Sequence, residues 1–168
     1  MQLIMMHTDS RHRQAGVGLI EVLIAVLVLS IGFLGIAALQ AKALSNNNSS
    51  MNRSIAIVAS YSILDAMRAD PENAVNGNYN GTVEAWSCPS GSGSLENEQI
   101  RAWCLGSEEL PAGSPPDGLA ALGDSEDDGV TGEIQCSATG LCTITVTFND
   151  EKATGGEAQQ QVVTRARL

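Results

Sequence analysis

Glu21 stands at the end of Gly16-Val17-Gly18-Leu19-Ile20-Glu21, and the residues from Val22 to Leu39 behind it carry no charge. An ionised carboxylate at the edge of such a run must reach the interface, take a proton or find a cationic partner. Four cysteines offer a second kind of chemistry. Cys88, Cys104, Cys136 and Cys142 are separated by 15, 31 and 5 residues, with no Cys-x-x-Cys pair and no histidine after residue 12. That spacing argues against zinc and leaves disulfides as the expected use. Three pairings are open; Cys88 with Cys104 and Cys136 with Cys142 keep the loops local. A third candidate is Asp124-Ser125-Glu126-Asp127-Asp128-Gly129, where Asp124, Glu126, Asp128 and Gly129 fall where a calcium loop has its first ligands and its glycine. The twelfth position is Gln135 rather than glutamate, and no paired helices flank the segment. A solvated acidic turn is the expectation, with no metal and no cofactor.

Enzymatic chemistry finds little to work with. Both histidines, His7 and His12, precede Gly16, so Ser-His and Cys-His mechanisms have no base beyond that point. Glu108-Glu109 sits in a polar stretch with no apolar pocket to tune it. No phosphate-binding glycine loop appears, and the chain is expected not to be an enzyme. The net charge is −10; Arg11 and Arg13 against Asp9 give the first 16 residues +1, so the remainder carries −11. Between Pro71 and Glu157 the basic residues are Arg101 and Lys152. Two cations make no phosphate-binding patch, which excludes nucleic acid as a partner of that part.

These residues need elements to position them. Val17 to Leu39 is 23 residues without proline, roughly 35 Å as a helix and enough to cross a bilayer core. Gly32 and Gly35 are its weak points. Arg11 and Arg13 precede the run and Lys42 alone follows it closely, which puts the amino terminus in the cytoplasm and the remainder in the periplasm. The helix is expected to continue to residue 70, through a polar interruption at Ser45-Asn46-Asn47-Asn48-Ser49-Ser50 of low helix propensity. Ala56, Ile57, Ser60, Ile63, Leu64 and Met67 then form an apolar stripe, with Ser62, Asp65 and Ala69 opposite, and Asp70-Pro71 closes the helix. Residues 72–132 read as loop-rich, with Gln99 to Leu105 a short strand or a turn of helix. Ile134 to Cys136, Cys142 to Phe148 and Gln161 to Leu168 read as strands, the second with clear alternation. The fold class is therefore α+β: a long amino-terminal helix carrying a small antiparallel sheet with disulfide-stapled loops. Its parts are a leader over 1–16, the helix over 17–70 and a head over 71–168.

Gly16, then four mostly apolar residues, then Glu21, then an unbroken apolar helix resembles the processing site of type IV prepilins and pseudopilins. The likeness is specific over about Gly16 to Leu44; Gly18 and a helix undivided by proline depart from the major pilins, which is tolerable in a minor pilin and argues against the bulk fibre subunit. The resemblance implies cleavage after Gly16 and N-methylation of Val17 by a prepilin peptidase/N-methyltransferase. It implies that Glu21 pairs with the amino terminus of a neighbouring subunit; two charges leaving water together lose less than either buried singly. Implied partners are other minor pilins, the major pilin and a tip-associated adhesin. The implied role is priming of pilus assembly in support of twitching motility and adhesion, with the chain held in the inner membrane beforehand. A minor pseudopilin of type II secretion shares the motif. An ordinary signal peptide is a further alternative, since Ala41-Lys42-Ala43 fits a small-x-small cleavage site, and a signal-anchored periplasmic binding module with no filament is the reading from another class.

Overall fold

The computed structural model describes residues 18–91, 93–106, 118–123, 125–151, 153 and 155–168. Gly16, Val17, Glu108, Glu109 and Asp124 lie outside them. Helix α1 runs Leu19–Ala69, 51 residues without a break, and the contacts divide the chain into two units after Gln40.

In the first unit every described residue is exposed, and exposure continues to Leu44. Helical assignment passes through Gly32 and Gly35, and a methyl group added at either would meet nothing within 4 Å. Ser30 turns its hydroxyl back onto the Val26 carbonyl, 2.7 Å away, which removes a bare polar group from an apolar surface.

The second unit begins with the remainder of α1. Its polar stretch stays helical because other groups satisfy its side chains. The Ser50 and Ser54 hydroxyls donate to the carbonyls of Asn46 and Ser50, at 3.1 and 2.9 Å, and Ser49 donates to the buried Asp150 carboxylate at 2.6 Å. Arg53 reaches Gln160 at 3.0 Å. The expected interruption is thus the seat of the chain that follows Phe148. Below it Ala56, Ala59, Ser60, Ile63, Leu64 and Met67 are buried, while Ser62, Asp65 and Ala69 are exposed as expected. Ile57 is 44% exposed and leaves the stripe to Ala59, which falls three residues from Ala56 and four from Ile63 on the same face.

After α1 comes α2 (Pro71–Val75), with Pro71 in its first turn and Asp70 before it. Residues 72–132 hold more structure than their composition suggests: strand β1 (Gly81–Glu84), helix α3 (Leu95–Leu105) and two short 3-10 turns, Leu119–Ala121 and Glu126–Asp128. Strands β2 (Thr131–Cys136), β3 (Leu141–Phe148) and β4 (Gln160–Arg167) complete an antiparallel sheet in the order β1-β2-β3-β4. On β3, Cys142, Ile144, Val146 and Phe148 turn inward and are fully buried, as period-two alternation requires. With the α1 stripe, Tyr79, Trp103, Leu119, Val130 and Ile134 they form one hydrophobic core.

Two disulfides hold the periphery. Cys88 is bonded to Cys104, with Cα atoms 5.7 Å apart, and Cys136 to Cys142, at 4.0 Å. The first ties the end of α3 to the segment after β1; the second joins β2 and β3 at their turn. The α+β expectation holds: a long apolar amino-terminal helix, a small antiparallel sheet and two disulfides.

Candidate functional site

Glu21 sits in the first turn of α1. Gly18 opens that turn: its carbonyl accepts from the N–H of Glu21 at 3.0 Å and of Val22 at 3.4 Å. A carboxylate is favourably placed there, because unpaired N–H groups give a helix start a partial positive charge. Beside Glu21, the residues Val22, Ala25, Val26 and Leu29 form an apolar surface groove. Leu23, Leu27, Phe33, Leu34 and Leu39 are each more than half exposed. The start of α1 is therefore one carboxylate on an apolar rod that buries none of its side chains. By length and composition this helix can cross a membrane, and lipid or other apolar helices are what such a surface requires.

The cysteines and the acidic loop belong to the second unit. Gly16 and Val17 adjoin the described start of the helix in sequence and lie outside the described residues. The four cysteines are all in disulfides, so none is a ligand or nucleophile. Of the acidic loop, Glu126 and Asp127 are exposed on a 3-10 turn that Gly129 closes at φ 61°, and Asp128 accepts from Ser125 at 2.6 Å. Among the described residues no three His, Cys, Asp or Glu side chains gather as a metal site.

Sequence reasoning missed two arrangements in the second unit. The Tyr79 hydroxyl, almost wholly buried, meets Asp70 at 3.0 Å and also Gln99; Asp70 in turn accepts from Asn73 at 2.9 Å. Burial pushes the Tyr79 phenol above its ordinary value, and the Asp70 hydrogen bond and charge push it further. Trp103 donates its indole N–H to the Ala59 carbonyl of α1 at 2.9 Å. Gly132 makes room for that ring: a methyl group there would strike Trp103 and come within 2.7 Å of Leu119. The signals available were a tyrosine beside a turn and one of two tryptophans that stand near a cysteine, too sparse to assign.

Comparison with known proteins bears on the start of the chain. A family described as "Prokaryotic N-terminal methylation motif" matches residues 11–37, which span Gly16, Val17, Glu21 and most of the apolar rod. No curated protein and no solved structure matches the chain. The motif is that of prepilins, whose family is structural rather than catalytic, and it implies processing by a prepilin peptidase and assembly with other pilins. An apolar helix of membrane-spanning length, led by that motif and followed by a small disulfide-bonded sheet, supports a type IV pilin or pseudopilin.

Proposed function

We propose that the chain is a minor type IV pilin resembling PilV, made as a prepilin, cleaved after Gly16 and N-methylated on Val17. It is held in the inner membrane by the first part of α1, with the head in the periplasm. From there it enters a pilus together with other minor pilins, the major pilin and a tip-associated adhesin, and helps to prime assembly for twitching motility and adhesion.

The observation that carries this reading is the prepilin-type motif over 11–37 leading a helix whose described residues are all exposed as far as Leu44. Physical chemistry supplies the mechanism. Helix packing with neighbouring subunits covers the rod. Glu21 then sets register: moving an isolated carboxylate into that packing is costly, and the cost falls when a neighbour's amino group stands opposite. The minor pseudopilin of a type II secretion system is the second reading, favoured by the same motif and distinguished by its partners.

Mass spectrometry of the mature protein tests the assignment, with N-methylated Val17 as the expected amino terminus. A start at Met1, or one just after Ala43, contradicts it. Gly16→Ala traps the precursor. Glu21→Ala leaves membrane insertion intact and reduces incorporation into pili; unchanged incorporation refutes the role given to that carboxylate. Loss of twitching, against loss of exoprotein secretion, separates the two assemblies.

A further inference from the structure

β4 ends the sheet order, so among the described residues one of its two sides has no neighbouring strand. The N–H of Leu168 donates to the Gly140 carbonyl at 2.9 Å, and the register then runs unbroken from Leu141 opposite Arg167 to Phe148 opposite Gln160. Bonded and non-bonded pairs alternate along an antiparallel ladder. The even-numbered residues of β4 therefore spend their backbone groups on β3, and Gln161, Val163, Arg165 and Arg167 direct theirs to the open side. The same four alternate as the exposed residues of the strand.

Charge singles out this edge. In a chain of net charge −10, Arg165 and Arg167 have no acidic partner among the described residues; their cross-strand neighbours are Thr143 and Leu141. Charged residues on an edge strand commonly serve to keep it from pairing with its like. Here they do so against one kind of strand only. Two copies meeting β4 to β4 would bring arginines together, which is unfavourable, whereas a strand bearing carboxylates would be drawn to the same row.

We propose that β4 accepts a fifth strand: an extended acidic segment of another polypeptide. It bonds to the outward N–H and C=O groups of Gln161, Val163, Arg165 and Arg167, with its carboxylates beside Arg165 and Arg167. The proposal stands on the sheet alone, so it survives or fails independently of the pilin reading.

The test uses the full chain in detergent with two synthetic probes, a short peptide alternating threonine with glutamate and its threonine–lysine counterpart. The acidic peptide is expected to bind about tenfold more tightly than the basic one, two charge pairs changing sign between them. It should slow hydrogen exchange at the amides of Gln161, Val163, Arg165 and Arg167 while leaving those of Val162, Thr164 and Ala166 unchanged. The double variant Arg165→Glu with Arg167→Glu, its fold checked by circular dichroism, should reverse the preference; should it not fold, the amide pattern in the unaltered chain decides. Absence of binding, equal affinity for the two peptides, or unaltered exchange at the four outward amides overturns the proposal. So does self-association of an Arg165→Ala, Arg167→Ala protein whose parent binds neither peptide, since that result makes the arginines guards of the edge and nothing more.

Discussion

Tyr79 joins three elements at a single hydroxyl: Asp70 at the end of α1, Asn73 of α2 through Asp70, and Gln99 of α3. Replacing it by phenylalanine removes the hydroxyl and leaves Gln99 without that partner, at an expected cost of about 1–2 kcal/mol, measurable by chemical denaturation. The change also alters the response to alkali. Below pH 10 the phenol is protonated in both folded and unfolded chains, and its contribution is complete. Above that, the unfolded phenol loses its proton first, because burial and Asp70 hold the folded one. Stability therefore falls as pH rises past 10, and the fall should be shallower in Tyr79→Phe. Parallel curves for the two proteins would show that the phenol is not the group responsible. None of this was legible beforehand, since Tyr79 lies in Asn-Gly-Asn-Tyr-Asn-Gly, a run that composition marks as a turn.

Elements were legible in proportion to their periodicity. Cys142 to Phe148 alternates strictly and became β3. The stripe on α1 was readable to within one residue, Ala59 in place of Ile57, because a helix face is broad and size does not decide which side chain turns inward. β1 went unread: four residues, Gly81-Thr82-Val83-Glu84, hold a single apolar side chain, and the strand exists because β2 is there to pair with it. The Asn80 side-chain amide prolongs that pairing, accepting from the Cys136 N–H at 2.6 Å and donating to its carbonyl at 3.1 Å. Helix α3 carries Glu96, Glu98 and Arg101 among its apolar residues, and its burial is concentrated in Trp103 and Cys104. A tertiary bond fixes it. Removing Cys88–Cys104 by alanine at both positions should cost about 3 kcal/mol, and removing Cys136–Cys142 about 2, following the sequence separations of 16 and 6. Denaturation of the two double variants checks the order. Limited proteolysis at the same rate with and without reductant would contradict a structural part for either.

For the molecule as a whole, the division after Gln40 separates an apolar rod from a charged head. Residues 1–40 contain Arg11, Arg13, Asp9 and Glu21, which cancel, so a chain beginning at Ala41 keeps the full −10. It also keeps every residue of the core and both disulfides. Such a chain is expected to be soluble without detergent and to melt cooperatively, since charge opposes association and the uncovered apolar surface is mostly gone. Centrifugation and calorimetry would show it; precipitation, or a broad non-cooperative transition, would mean that the first forty residues contribute to the head. The contact between Trp103 and Ala59 adds a practical dividend. Because the indole is sequestered against a carbonyl of the long helix, its fluorescence in a Trp86→Phe chain is a label-free optical gauge of whether α3 is docked.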